Sequence, residues 1–233
     1  RKNLAVIFQN EEDKVLFLKN WIIREEQAFM IKGSGVDLNQ YCYTPEPESG
    51  KIKVLFTARM IVEKGVFVLT DAALKLKAEY KDKVEFLLCG GLDDNPKAIK
   101  EEELKAVCDG EYIQWLGYRT DVLELLKSCH IVAFPSYYKE GLPKSLIEAT
   151  AVGRPIVTTN SIGCKETVVD GYNGYLVSVK DSDTLAEKLK ILFEDKDLRQ
   201  DMGRNSRKLA ERDFSIENVI QKHLEIYNQL NKT

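Results

Sequence analysis

The chain has 233 residues, 44% of them hydrophobic, and a formal net charge of −3. That length suits one large domain, or one and a half smaller ones, with enough apolar residues for a sizeable core. The slight acidity excludes the basic footprint of a nucleic-acid binder, and no apolar run reaches the ~18 residues a membrane-spanning helix needs.

No signal peptide is visible. The chain opens at Arg1 without a methionine and enters an apolar run at residues 4–8 almost at once, so it reads as part of a longer protein. Five cysteines (Cys42, Cys89, Cys108, Cys129, Cys164) form an odd set without C-x-x-C spacing. They read as reduced thiols of a cytosolic protein. The two histidines, His130 and His223, are too far apart in sequence to suggest a zinc site. No metal or other cofactor is expected.

In chain order, residues 4–8 predict a strand, 11–19 a helix and 28–31 a second strand. Gly33-Ser-Gly-Val-Asp37 follows. It begins like G-x-G-x-x-G but lacks the third glycine, and no clear helix comes after it, so a dinucleotide fingerprint is rejected. Residues 41–50 hold two prolines, a serine and a glycine and read as a linker. Residues 1–38 are therefore expected to be the tail of a preceding domain.

From residue 51 to 180 strands and helices alternate. Residues 53–58 form an apolar strand. Val66, Leu69, Ala73, Leu76 and Tyr80 then recur at helical spacing. Residues 84–89 form the next strand, ended by Gly90-Gly91. A charged helix over about 97–107 stops at Gly110, and residues 113–117 form a third strand. Residues 121–127 predict a short helix with Asp121 and Glu124 spaced as a capping pair. The run from His130 to Phe134 is a buried strand stopped by Pro135, and His130 reads as a satisfied structural histidine. Residues 144–152 predict a helix with Pro143 in its first turn and Gly153 as its stop. Strands follow at 155–159 and 174–177.

Strands that are solid apolar runs are buried on both faces, which means a parallel sheet with helices on each side. Alternation at this period gives a doubly wound α/β fold over about residues 40–215. Beyond Asp181 the chain is mostly helical: Leu185, Leu189 and Leu192 mark one helix. Ser215 can cap a last one carrying Val219, Ile220, Leu224, Ile226 and Tyr227.

The most informative stretch is Glu140-Gly-Leu-Pro-Lys-Ser-Leu-Ile-Glu148, which places two carboxylates across a strand–loop–helix junction. In an open parallel sheet such junctions lie at the carboxyl ends of the strands, where ligands bind. The N–H groups of Gly141, Leu142 and Lys144 can face an anion at the helix start. Spacing alone leaves open that both glutamates are solvated surface residues. Arg59 and Lys64 leave one strand end together and can clamp a diphosphate, the arginine as a fork and the lysine as a point charge. An Arg-x₄-Lys in a solvated loop is the competing reading. Gly90-Gly91 allows close backbone approach to a ligand or is an ordinary tight turn.

The ordered set of motifs resembles retaining glycosyltransferases of the GT-B fold, family 4. Glu140 to Glu148 matches an E-x₇-E motif. Thr57-Ala-Arg-Met-Ile-Val-Glu-Lys-Gly65 resembles the donor-phosphate loop, and Trp115-Leu-Gly-Tyr-Arg-Thr-Asp-Val122 resembles the loop at the base. Gly153-Arg-Pro-Ile-Val-Thr-Thr159 and Gly171-Tyr-Asn-Gly174 resemble the later strand and turn, and Gly33 to Asp37 the interdomain hinge. The resemblance implies a Rossmann-like C-terminal, donor-binding domain over 39–215. Residues 1–38 would then be the end of an acceptor domain and 216–233 a C-terminal helix. Arg59 and Lys64 would neutralise a donor diphosphate, and Gly141 and Leu142 would offer it N–H groups. Glu148 would accept from ribose hydroxyls, and Glu140 would act near the reacting sugar carbon. Gly90, Gly117 and Tyr118 would border the nucleotide.

The implied donor is a nucleotide-diphospho-sugar, with uridine as the expected base. The implied acceptor is a glycan or lipid-linked sugar held by the other domain, so the chain alone is expected to bind donor without transfer. Surface polysaccharide synthesis in the cytoplasm, with at most peripheral membrane contact, completes the expectation. A sugar-nucleotide epimerase, a phosphorylase-like enzyme and a non-catalytic sugar-nucleotide-binding domain remain as alternatives.

Overall fold

The computed structural model describes residues 5–95 and 97–231. A six-stranded, wholly parallel sheet forms its centre, in the order β5-β4-β3-β6-β7-β8. Its strands are β3 (Ile52–Thr57), β4 (Val84–Cys89), β5 (Ile113–Gly117), β6 (Ile131–Phe134), β7 (Ile156–Thr159) and β8 (Gly174–Val177). A separate parallel pair, β1 (Val6–Phe8) and β2 (Ala28–Met30), flanks helix α1 (Glu11–Lys19) in sequence. The predicted strand at 4–8 is thus shorter, and Leu4 lies outside the described residues.

Between the central strands run α2 (Val66–Tyr80), α3 (Glu101–Val107), α4 (Val122–Ser128) and α5 (Lys144–Val152). The five residues that recur at helical spacing on α2 are all buried. β6 is buried along its whole length, as its apolar run requires. The doubly wound parallel fold read from the alternation is the observed one.

Three local expectations need correction. The helix expected from residue 97 begins at Glu101, because the preceding residues pair with the segment after β3. Val62 N–H donates to Lys97 C=O at 3.1 Å, and Ile99 N–H to Met60 C=O at 2.9 Å. Asp121 does not form a capping pair with Glu124. Arg119 Nε holds the Asp121 carboxylate at 2.8 Å, and Glu124 pairs with Lys127 at 2.9 Å. Side-chain competition decides that cap, and spacing does not reveal it.

The third correction concerns residues 41–50, which are a strap and not a free linker. Thr44 N–H donates to Val152 C=O, and Arg154 Nη2 to Thr44 C=O at 2.6 Å. Glu46 and Arg199 form a two-pronged ion pair at 2.6 and 3.0 Å, with side chains 4% and 5% exposed. His130 is a structural histidine. Its Nδ1 accepts from Lys53 N–H at 3.1 Å, and its Nε2 faces Pro47 C=O at 3.2 Å. Burial, first of all, lowers its pKa, which keeps the ring neutral.

After the sheet come α6 (Ser182–Glu194), α7 (Lys196–Leu209) and, beyond a π turn at Ala210–Phe214, α8 (Ile216–Leu230). Ser215 caps α8 by accepting from Asn218 N–H at 3.1 Å. Val219 and Ile226 of α8 pack on Ile31 beside β2, with Phe29 and Leu230 at the rim. Ile220, Leu224 and Tyr227 instead stand about half exposed on the other face. No helix among the described residues is long and apolar enough to cross a membrane.

Candidate functional site

The direction of strand addition reverses between β3 and β6: β4 and β5 lie to one side, β7 and β8 to the other. Such a reversal opens a crevice at the carboxyl ends of the strands. A cleft of about 280 Å³ lies there, lined by Thr57 to Arg59, Lys64, Glu140 and the start of α5.

Lys64 reaches this cleft because the chain leaves β3 through a tight 3₁₀ turn, Val62–Lys64. The carbonyl of Glu63 accepts from the N–H groups of Tyr137 and Tyr138 at 2.9 and 3.0 Å. Gly65 has φ +86°, and a Cβ there would stand 2.1 Å from Pro135 C=O. Only glycine allows the two loops this close. The result is an ion pair between Lys64 and Glu140, with each side chain 12% exposed. Ser136 Oγ donates to the same Glu140 oxygen at 3.2 Å, and the lysine ammonium sits 4.9 Å from the Tyr138 ring centre.

Arg59 is held differently. Its Nη1 pairs with Asp93 at 2.7 Å while its side chain stays 62% exposed. The Asp93 carboxyl titrates low, chiefly through the Asn95 N–H and then through Arg59. Both cations assigned to a diphosphate therefore face carboxylates in this structure. The exposed Arg59 side chain can exchange Asp93 for a ligand anion at modest cost.

Helix α5 starts after Pro143, which takes the capping position with ψ 118° instead of the first helical turn. The N–H groups of Lys144 and Ser145 open the helix and can receive an anion, whereas those of Leu146 and Ile147 donate to Pro143 C=O at 3.1 and 3.2 Å. Leu142 is buried beside Val36 and Ile147. Gly141 lies against the Gln9 side chain: a Cβ on the glycine would be 2.4 Å from Gln9 Oε1.

Glu148 sits one turn further on and is 8% exposed. It does not line the cleft itself. Its Oε1 accepts from the Tyr41 hydroxyl at 3.0 Å, and Lys144 Nζ lies 3.8 Å away. Burial raises the Glu148 pKa, against the opposing effects of the Tyr41 bond and the Lys144 charge.

Gly90, Gly117 and Tyr118 lie on the β4–β5 side. The Gly90 N–H donates to Gly117 C=O at 2.9 Å, and the Gly90 carbonyl accepts from Trp115 Nε1 at 2.9 Å. The Gly90 N–H and C=O are thus both engaged within the fold. Its glycine identity follows from crowding, since a Cβ would fall 1.7 Å from Ala58 C=O. Tyr118 is 78% exposed at the end of β5, two strands away from Arg59. Of the predicted residues, Arg59, Lys64, Glu140 and Leu142 line one cleft. Gly141 lies in the loop just before α5 and Glu148 on α5, while Gly117 and Tyr118 stand at the end of β5, outside the lining of the cleft.

Sequence reasoning missed Tyr41, Asp93, Ser136 and Gln9. Tyr41 and Glu148 are 107 positions apart, and Arg59 and Asp93 are 34 apart. No local pattern signals such pairs. Among the described residues no group of three or more His, Cys, Asp or Glu is placed to hold a metal ion.

Comparison with known proteins bears on this geometry. The family profile of glycosyl transferases group 1 matches residues 44–209. Among curated relatives, an N,N'-diacetylbacillosaminyl-diphospho-undecaprenol α-1,3-N-acetylgalactosaminyltransferase from Campylobacter jejuni is 34% identical over 240 residues, covering 97% of this chain and 60% of that protein. The capsular polysaccharide biosynthesis glycosyltransferase CapM of Staphylococcus aureus is 28% identical, covering 74% of this chain and 45% of the relative. The chain thus spans about half to 60% of the length of these relatives. A glycosyltransferase from Rickettsia africae superposes with a TM-score of 0.87 at 24% identity, over 99% of this chain and 64% of the other. Anabaena HepE, solved with UDP and glucose, superposes with a TM-score of 0.82 at 22% identity, over 97% and 63%.

Proposed function

The chain belongs to the group 1 glycosyl transferases, and on that premise we propose that it is the donor-binding half of a retaining, UDP-sugar-dependent transferase. The observation that carries this reading is the convergence of Arg59, Lys64, Glu140 and the start of α5 on one cleft at the strand-order reversal. The arrangement suits a sugar nucleotide. Arg59 and Lys64 meet the diphosphate together with the first N–H groups of α5, and Glu148 accepts from the ribose diol. Glu140 stands by the reacting sugar carbon, and Gly117 and Tyr118 flank the base. Gly90 lets the end of β4 pass close to Ala58 beside the cleft.

The reaction transfers a sugar from the nucleoside diphosphate to an acceptor hydroxyl. The bond between the anomeric carbon and the diphosphate breaks with its electron pair on the diphosphate, a bond to the acceptor oxygen forms, and the hydroxyl proton passes to the departing diphosphate or to water. This chain's contribution is electrostatic: Lys64, Arg59 and the helix N–H groups stabilise the charge developing on the departing diphosphate. No metal is assigned a role.

The Campylobacter relative supports an N-acetylhexosaminyl donor and a lipid-diphosphate-linked acceptor, which fits a role in surface polysaccharide or glycan assembly at the cytoplasmic face of a membrane. We place acceptor recognition in the remainder of the full-length protein. The chain by itself then binds donor and transfers no sugar. Calorimetric titration of the chain with uridine, UDP, GDP, ADP and UDP-N-acetylhexosamine tests the reading. Selective binding of the uridine diphosphates supports it. Failure of every nucleoside diphosphate to bind rejects it.

A further inference from the structure

We propose that Tyr41 is a positioning residue for the ribose-binding carboxylate: its hydroxyl holds one oxygen of Glu148 so that the other is presented to the nucleotide's vicinal diol. This rests on the donor-binding reading above and adds to it a residue outside the motifs that suggested it.

Tyr41 stands on the strap that joins the Gly33–Asp37 segment to β3. Its backbone is fixed at both polar atoms. The N–H donates to Asp37 C=O at 2.8 Å, and the carbonyl accepts from Arg207 Nη1 at 2.9 Å. The same Arg207 nitrogen donates to Ala151 C=O at 2.9 Å, which ties the strap to α5. From this anchor the ring packs at the edge of two apolar clusters, and its hydroxyl reaches Glu148 Oε1 at 3.0 Å.

A carboxylate has two oxygens, and a vicinal diol needs acceptors in a fixed direction. Lys144, the other charged group beside Glu148, is 3.8 Å from Oε1 with a side chain 69% exposed, and such a pair orients little. Both contacts fall on Oε1, and Oε2 has no protein partner among the described residues. The tyrosine is therefore the group that sets the plane of the carboxylate. It remains a donor at neutral pH, since burial and then the Glu148 charge push its pKa up to about 12.

The experiment compares UDP with 2′,3′-dideoxy-UDP on the wild-type chain, on Tyr41→Phe and on Glu148→Gln. Wild type should prefer UDP. Tyr41→Phe should lose roughly five- to ten-fold for UDP and little for the dideoxy analogue, the scale of one hydrogen bond. Adding Tyr41→Phe to Glu148→Gln should cost little more, because the two act as one unit. Equal losses on both ligands would show that the hydroxyl supports the fold generally, and the proposal would fall. A Tyr41→Phe chain that discriminates as well as wild type overturns this inference alone. A wild-type chain that binds both ligands equally removes Glu148 from the ribose and the inference with it.

Discussion

Lys64 and Glu140 are 76 positions apart and form an ion pair whose two side chains are each only 12% exposed. The lysine assigned to the diphosphate and the glutamate assigned to the sugar carbon therefore neutralise each other before any ligand arrives. On the proposed donor-binding reading, an arriving phosphate would compete with Glu140 for Lys64 and free the carboxylate.

The cations should separate binding from stability. Arg59→Ala and Lys64→Ala should each weaken UDP roughly ten-fold or more and leave uridine nearly unchanged, given ~1.5–3 kcal/mol per charge-assisted bond. Arg59→Ala should change urea stability by under about 1 kcal/mol, because the arginine itself is mostly exposed and Asp93 keeps its bond from Asn95 N–H. Lys64→Ala should cost about 1–3 kcal/mol, because it leaves a largely buried carboxylate unpaired. Equal loss of uridine and UDP by calorimetry would remove both residues from the phosphate.

Glu140→Gln should act in opposite directions on binding and turnover. Removing the carboxylate frees Lys64 and takes one negative charge away from the diphosphate. The chain should then bind UDP as tightly as wild type or a few-fold tighter, a change on the order of 1 kcal/mol or less. In the full-length enzyme the same change should lower kcat more than it alters donor KM. An unchanged kcat would remove Glu140 from the reacting carbon.

Glu148 predicts a pH dependence with a definite sign. Its pKa is raised in the folded chain, chiefly by burial. UDP affinity should therefore begin to fall, as pH is lowered, at a higher pH than an ordinary carboxylate would give. Glu148→Gln should flatten that limb and weaken UDP at neutral pH. The same shift acts on stability in the other direction. A folded-state pKa above the unfolded one means the native state binds the proton more tightly, so this group's contribution grows as pH falls through the folded value. Titrations at a series of pH values, with wild type and Glu148→Gln side by side, read both effects.

The Glu46–Arg199 pair should distinguish a strap from a linker. Glu46→Ala leaves a buried guanidinium without its anion and should cost about 3–5 kcal/mol. Replacing both partners with apolar residues of similar volume should cost much less. Urea unfolding of the single and double variants measures this. A Glu46→Ala chain as stable as wild type would show that this ion pair does not hold the strap to the domain.

The strand–helix alternation was legible because strands buried on both faces must be apolar throughout, and helices between them must show a 3.6-residue stripe. The sheet strands β4, β5 and β8, and helix α5, occupy the residues predicted for them. Helix α7 left a weaker mark. Its buried face includes Arg199, Gly203 and Ser206 beside Met202 and Leu209, so burial there does not follow hydrophobicity. The start of α3 was misread because backbone pairing with the segment after β3 withholds residues 97–99 from the helix.

For the site, the sequence by itself determined which chemical groups stand at strand ends: Arg59 and Lys64 after β3, and Glu140 and Glu148 around the start of α5. That follows from chain order, since in a parallel sheet every strand–helix junction lies at the same end. Only the tertiary structure decided their partners. Pairing of Lys64 with Glu140, of Arg59 with Asp93 and of Glu148 with Tyr41 depends on strand order and loop packing that bring distant positions within 4 Å. It also decided that the Gly90 N–H bonds Gly117 C=O. Periodicity records which face of an element is buried, and it carries no information on which distant residue lies opposite a given side chain.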